Sequence, residues 1–597
     1  MRQLSENLFL FEDICNVYVI RNGKSAILID FGTGDVLSQL SEIDIERVTD
    51  VLMTHHHRDQ AQGLQRAVDA GINVWVPHTE QDLFHSVDAH WQAREIYNNY
   101  NQRQDRFSLL EPVQITGTLL DYETRDFGGV TLTVIATPGH TTGSITLLAE
   151  VDSQRLAFTG DLISAPGKVW MMSATQWTYN GAEGVMASIP SLLDLQERHP
   201  NTLLPSHGEP ITDPTTAIDL LVGRLWELLQ LRGNYPGLME LYEHPYEAIT
   251  PHLLMHRKSM SNCYVLLSKS GKAMFIDFGY DFNTELPYGT DRASRRPWLA
   301  TLPALKAQFG VSSIDVVMPT HYHDDHVAGI NLLSRVEGAQ VWAADMFADI
   351  LENPTRYDLP CIWYDPIHVD RKLPLETPIH WEEYTFTLYH LPGHTYYAVA
   401  IAFEVDGKRV IAGGDQYQDD GEEMNYVYPN RFRPGDYGLS ADLYKELQPD
   451  LIITGHWQPR WVVPAYYKRI DKIGADIERL HRELQPETLD LRGEGFVARL
   501  EPYQPTVHAG ESIEFQAEIV NPYKEAADAE LKVIVPQGWQ TANESLSLTL
   551  PAHGIGTATF SVTPPPDFTG RRARVTVDVT INGHRFGQQG EALVNAV

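Results

Sequence analysis

The stretch Thr320-His321-Tyr322-His323-Asp324-Asp325-His326 follows the apolar run Val316-Val317-Met318 and sets four metal-binding side chains, His321, His323, Asp325 and His326, within six positions. Alternation in an extended segment sends His321 and His323 to one side, and a turn into a following helix brings Asp325 and His326 round to face them. The spacing predicts two half-built metal sites that later residues must finish. Three candidates end apolar runs behind a glycine, where the backbone can turn and leave a ligand exposed. They are His394 in Leu391-Pro392-Gly393-His394-Thr395, Asp415 in Ile411-Ala412-Gly413-Gly414-Asp415, and His456 in Ile452-Ile453-Thr454-Gly455-His456. Imidazole nitrogen and carboxylate oxygen without thiolate suit zinc first, with iron, manganese and cobalt as competitors.

The elements that position these residues occur twice. Asn16-Val17-Tyr18-Val19 and Ile29-Asp30-Phe31-Gly32 return as Asn262-Cys263-Tyr264-Val265 and Ile276-Asp277-Phe278-Gly279. Thr54-His55-His56-His57-Arg58-Asp59-Gln60, Thr137-Pro138-Gly139-His140-Thr141, Phe158-Thr159-Gly160-Asp161 and Pro205-Ser206-His207-Gly208 form the earlier set. The spacing from Gly-His to Gly-Asp is 21 residues in both, 140 to 161 and 394 to 415. Such register marks an internal duplication, with repeats at 1–247 and 248–490. Each repeat closes with a helix at 3.6-residue spacing, read from Ile218, Leu221, Leu225 and Leu228, and from Tyr466, Ile470, Ile473, Ile477, Leu480 and Leu484. Residues 491–597 switch to short alternating strands, such as Ser512–Val520 and Arg574–Thr580, punctuated by Pro and Gly. They read as an all-β immunoglobulin-like sandwich with a structural or dimerising role.

The order His-x-His-x-Asp-His, Gly-His, Gly-Asp, Gly-His resembles the metallo-β-lactamase superfamily, and the Pro-Gly-His-Thr and Gly-Asp segments are most similar to glyoxalase II-like hydrolases. The resemblance implies an α+β fold of two tandem αββα sandwiches. It also implies that His321, His323 and His394 hold one metal, that Asp325, His326 and His456 hold a second, and that Asp415 bridges them. In the first repeat Gln60 stands where His326 does. His55, His57 and His140 can complete one site there, whereas Asp59, Asp161 and His207 are left as an incomplete second. His56 is expected to point away from its neighbours, as an exposed or supporting residue.

The implied chemistry is hydrolysis of an ester, thioester, lactone, amide or phosphoester by a metal-activated hydroxide, with Asp325 or Asp415 orienting the nucleophile and Zn2+ as cofactor. A mononuclear iron dioxygenase is the alternative. Diiron reductases of this resemblance carry Glu where His323 sits and usually bring a flavin module, and neither is present. A first repeat without catalysis, structural or binding, is a further reading. Aromatic loops between the motifs, with Trp91, Tyr97, Tyr100, Tyr357, Trp363 and Tyr364, then Trp170, Trp177, Tyr179, Tyr417, Tyr426 and Tyr428, border the site or cover the sandwich.

Among 597 residues, 46 Lys and Arg against 79 Asp and Glu give a net charge of −33, which disfavours a nucleic-acid partner and points to a small-molecule substrate. No apolar run reaches membrane-span length, and the N-terminus reads as no secretory signal, so no membrane partner and a cytoplasmic location are expected. Cys15, Cys263 and Cys361 are too scattered for a disulfide framework, and the first two read as buried fillers. A homodimer is compatible with the third region.

Overall fold

The computed structural model describes residues 1–92, 107–177, 181–233, 237–281, 292–418 and 426–596. Its chain forms two compact units, one of Met1–Pro245, Arg257–Ser259 and Tyr280–Gly310, the other of Tyr246–His256, Met260–Gly279 and Val311–Val597. Tyr97, Tyr100 and Tyr179 lie outside the described residues.

In the first unit, seven strands from Arg2–Gln3 to Gly117–Leu119 pair in chain order, antiparallel up to Ser25–Ile29 and parallel from there on. A second sheet runs in the order Thr202–Pro205, Gln154–Gly160, Ile145–Val151, Val130–Ala136, Thr124–Phe127. Strand alternation divides the side chains between two cores. Leu8, Leu10, Tyr18 and Ile20 meet Leu132, Val134, Leu147 and Phe158 between the sheets. Phe9, Phe11, Val17 and Val19 turn the other way, onto Leu64, Ala67 and Phe84 of the flanking helices. The helices Glu183–Glu197 and Pro214–Arg232 cover the second sheet through Val185, Ile189, Leu192, Ile218, Leu221 and Leu225. Burial on both faces is why these strands read as nearly continuous apolar runs, and each fully buried Leu, Ile or Phe contributes about 1.5–3 kcal/mol.

The second unit repeats the plan. Seven strands from Tyr246–Thr250 to Arg371–Leu373 pair in chain order, opposite a six-stranded sheet from Ile379–Trp381 to Arg460–Trp461. The closing helix, Pro464–Leu484, buries Tyr466, Ile470, Gly474 and His481. Leu480 and Leu484, read as part of the same apolar stripe, are instead exposed. The inward row steps by four from Tyr466 to Gly474 and then by seven to His481; Leu480 sits one position off it, and Leu484, three positions beyond His481, is the last residue of the helix. In the first repeat the row likewise takes Leu229 rather than Leu228 as its last buried position.

The C-terminal strands form a four-stranded and a five-stranded sheet that share one core, with Phe515, Ala517 and Ile519 from one and Val575, Val577 and Val579 from the other. Cys15 and Cys263 are buried and Cys361 is exposed. No helix among the described residues is long and apolar enough to cross a membrane.

The segment Tyr280–Gly310, part of the second copy by sequence, packs within the first unit. Arg296 anchors it. Its Nε and Nη2 donate to the two carboxylate oxygens of Asp121 at 2.8 and 2.7 Å, and its Nη1 donates to the carbonyls of Thr142 and Ser144, both at 2.9 Å. Removing one partner of a buried ion pair strands the other charge. Arg296→Ala is therefore expected to destabilise the first unit by about 3–5 kcal/mol, read as a lowered denaturant midpoint. A change below about 1 kcal/mol would show that the pair anchors nothing.

Candidate metal centre

The strand Ser313–Met318 runs parallel to Lys272–Ile276, so both strands end at the same edge and deliver Asp277 beside Thr320. Asp277 adopts a left-handed φ of 60°. Its carboxylate accepts the Thr320 backbone N–H at 2.7 Å and the His326 Nδ1–H at 2.9 Å. His323 is extended, at φ −64° and ψ 143°, and caps the single helical turn Asp324–Val327. His321 and His323 thus precede the turn and His326 rides on it, with Nε2 directed away from Asp277.

The other residues arrive from the second sheet. His321, His323 and His394 gather into one group, and Asp325, His326, Asp415 and His456 into another, each with ligand atoms within 4.8 Å of one another. His394 Nε2 lies 3.0 Å from His323 Nδ1 and 3.5 Å from Asp415 Oδ2. His456 Nε2 lies 3.1 Å from Asp325 and 3.2 Å from Asp415, and His326 Nε2 lies 3.2 Å from Asp415 Oδ1. Asp415 therefore faces both groups. Glycine is required behind His456, because a Cβ on Gly455 would stand 1.7 Å from Asp415 Oδ1.

The donor set fits divalent cations. Thr320 Oγ1 takes up His321 Nδ1 at 3.1 Å, and among the described residues His321 Nε2 is left buried without a hydrogen bond, as are His326 Nε2 and Asp415 Oδ1. Burial, reinforced by the neighbouring His394, depresses the His323 pKa to about 3, and burial with His326 holds His321 well below its ordinary value. Both rings are held neutral, the form that can offer a lone pair to a cation. Burial opposes protonation of His456, but Asp415 and Asp325 outweigh it and push its pKa up to about 10. The same carboxylates, with Asp277, raise His326 against burial. Without a cation, protons on these two rings balance the buried carboxylates.

The first repeat brings together His55, His57 and His140, and separately Asp59, Asp161 and His207. His140 Nε2 stands 3.0 Å from His57 Nδ1 and 3.5 Å from Asp161 Oδ2, as in the second repeat. The other side differs. Gln60 is fully buried and its Nε2 donates to Asp161 Oδ2 at 3.2 Å. Asp30, placed like Asp277, accepts the Ser206 hydroxyl at 2.5 Å in place of an imidazole, and burial pushes its pKa up to about 7. His207 turns Nδ1 to Asp161 at 2.9 Å and Nε2 to the Ile14 carbonyl at 3.1 Å, with Trp170 stacked on it at 4.1 Å.

His56 is buried rather than exposed. Its Nδ1 lies 3.1 Å from Glu80, which also accepts the backbone N–H groups of His56 and Gly143. The loop aromatics serve packing more than walls. Trp363 and Tyr417 are buried, Trp91 Nε1 donates to the Leu109 carbonyl, and Tyr426 and Tyr428 pack around Phe432 and His481. Trp170 is half exposed and stacked on His207, and Tyr364 and Tyr428 are also exposed. Asp30, Asp277, Glu80 and Asn430 were missed by sequence reasoning. The repeated Ile-Asp-Phe-Gly carried a signal for the first two, since nothing about strand packing demands an Asp there.

The model of the metallo-beta-lactamase superfamily matches residues 10–207 and 256–456. An uncharacterized protein of Mycobacterium tuberculosis is 28% identical over 211 residues, 33% of this chain and 88% of its own. The hydroxyacylglutathione hydrolase of Pseudomonas putida is 27% identical over 155 residues, 26% of this chain and 48% of its own. Among solved structures, a metallo-beta-lactamase family protein from Thermus thermophilus aligns with a TM-score of 0.30 at 20% identity, covering 38% of this chain and 83% of that one. A metallo-beta-lactamase from Legionella gormanii aligns with 0.30 at 18%, covering 39% and 95%. Each family match ends on the last histidine of its own set, His207 or His456, and the chain belongs to the metallo-beta-lactamase superfamily, in two tandem copies.

Proposed function

We propose that the chain is a metal-dependent hydrolase whose second repeat, residues 248–490, cleaves an ester, thioester, lactone or related bond. The observation that carries this reading is Asp415, whose carboxylate stands 3.5 Å from His394 of the first group and 3.2 Å from both His326 and His456 of the second. His321, His323 and His394 would hold one cation and Asp325, His326 and His456 a second, with Asp415 between them. Nitrogen and oxygen donors favour zinc, with iron as the alternative. Two such cations supply a water of near-neutral pKa and polarise the substrate's carbonyl oxygen.

The chain's own part is to hold and aim. Asp325 has a side chain 17% exposed against 3% for Asp415, so Asp325 is the carboxylate open to the attacking water's proton, while Asp415 orients from below. The hydroxyacylglutathione hydrolase relative makes a thioester the first substrate class to try, and the net charge of −33 favours a small molecule over nucleic acid. For the first repeat we infer one cation at His55, His57 and His140 and a supporting role, because Gln60 donates to Asp161 where the second repeat has an imidazole.

Elemental analysis should find about three zinc ions per chain, falling by about two in His323→Ala with hydrolysis down at least about 100-fold, and by about one in His57→Ala with a much smaller loss. Iron near one per repeat, with visible absorbance, would overturn the hydrolase in favour of oxygen chemistry. Restoring the first repeat requires two changes together. Gln60→His with Ser206→Gly frees Asp30 to orient the new imidazole and should add about one ion per chain, whereas an unchanged content would place the obstacle elsewhere.

Metal uptake must expel the protons on His456 and His326. Affinity in the second repeat should therefore rise with pH through the neutral range, by about tenfold per unit for each proton released. Titrating metal into the stripped protein with a pH indicator counts those protons, and a count of zero would contradict the charge balance described for Asp415.

A further inference from the structure

We propose that Asn430 is a positioning residue that fixes the tautomer and aim of His323, and that the C-terminal β region holds it in place through Arg431 and Glu518. This inference rests on the reading of the second repeat as a metal centre.

Asn430 ends the 3-10 turn Tyr428–Asn430 and is fully buried. Its Nδ2 donates to the His394 carbonyl at 3.4 Å, and a carbonyl can only accept, so the amide is oriented with Oδ1 on the opposite side. There Oδ1 receives the Tyr322 hydroxyl at 2.6 Å and faces His323 Nε2 at 3.4 Å. His323 Nδ1 meets His394 Nε2 at 3.0 Å, where both lone pairs are needed for a cation. The His323 proton therefore belongs on Nε2, and Oδ1 of Asn430 accepts it. One amide thereby meets the ring of His323 and the backbone carbonyl of His394, an arrangement by which an outer partner sets a ligand's orientation and basicity. The first repeat lacks the device: His57 Nε2 is buried with no hydrogen-bond partner among the described residues, and Phe107 packs against the ring at 5.0 Å.

The backbone of Asn430 is bonded within the second repeat, its N–H donating to the Val427 carbonyl at 2.9 Å and its carbonyl accepting the Tyr396 N–H at 3.0 Å, and the C-terminal strands hold the residue that follows it. Arg431 takes a left-handed φ of 61° and its Nη1 donates to Glu518 of the strand Ile513–Val520 at 2.6 Å. The same β region grips the backbone on the other flank of His323. Tyr503 and Gln504 donate backbone N–H groups to the carbonyls of Arg356 and Thr355 at 2.8 and 2.7 Å, and Arg499 donates to the Asp358 carbonyl at 2.8 Å. That segment leads to Cys361, whose carbonyl accepts Asp324 N–H at 2.8 Å, and to Ile362, which bridges to His323. The side chain and the backbone of one ligand are thus both tied to the C-terminal region.

The test is zinc affinity of the second repeat in the full chain, by competition with a chromogenic chelator. Asn430→Leu, close in shape but without the acceptor, should weaken binding about 10–100-fold, and Asn430→Asp, which keeps an acceptor, should recover most of it. Glu518→Gln should weaken it in the same direction by about tenfold; no change there would overturn the role given to the β region. The tautomer is read independently of folding in the variants. Nitrogen-15 histidine spectra of the zinc-loaded wild type should show His323 protonated on Nε2, and a proton on Nδ1 would overturn the proposal. Wild type that takes up no zinc in the second repeat would sink the metal reading and the proposal with it. Zinc-loaded wild type alongside an Asn430→Leu variant of equal affinity would sink the proposal alone.

Discussion

A carboxylate buried as deeply as Asp415 must be neutralised, and the arrangement of the second repeat follows from how that is done. Isolated in the interior its charge would cost several kcal/mol. His326 and His456 stand 3.2 Å from its oxygens and His394 3.5 Å away. Those rings must in turn be held, which is the office of Asp277 on His326. The close approach leaves no room for a side chain at 455, so the glycine is dictated by the same carboxylate. What reads in the sequence as a string of separate motifs is a single charge-balance problem solved by residues from several strand ends.

The first repeat solves the same problem with fewer charges. Asp161 is balanced by His207 and by the amide of Gln60, and the histidine lost at position 60 no longer needs Asp30 to orient it. Asp30 turns its free oxygen to Ser206, at the position where the second repeat must have glycine. The differences at 60 and 206 are one change seen from two ends. Across both repeats, the three-histidine groups are conserved in geometry while the carboxylate-rich groups diverge.

The clustered His and Asp residues were legible because their signals are local: His321, His323, Asp325 and His326 crowd into six positions after an apolar run, and His394, Asp415 and His456 each follow a glycine at the end of one. Asp277 carried half a signal. Its repetition was visible, but its partner His326 is 49 positions on and only the parallel pairing of two strands makes them neighbours. Asn430 carried none, since its contact with His323 spans 107 positions and depends on a turn whose residues have no period. Glu80 and His56 hid for a similar reason: alternation shows that a side chain turns away from its neighbours without showing whether it meets solvent or a buried acid. Helix faces were readable to within one position, and that single step separates buried His481 from exposed Leu480.

The residence of Tyr280–Gly310 in the first unit bears on how this duplication can have evolved. A freshly doubled gene encodes two copies that can each be lost without harming the other. Once the core of one copy relies on a cation, Arg296, encoded within the other, deletion of the second copy strands Asp121 in the first, and deletion of the first strips Tyr280–Gly310 of the core it packs into. Such a one-way loan would act as a ratchet, giving the copy with the reduced donor set a reason of folding to persist whatever becomes of its chemistry.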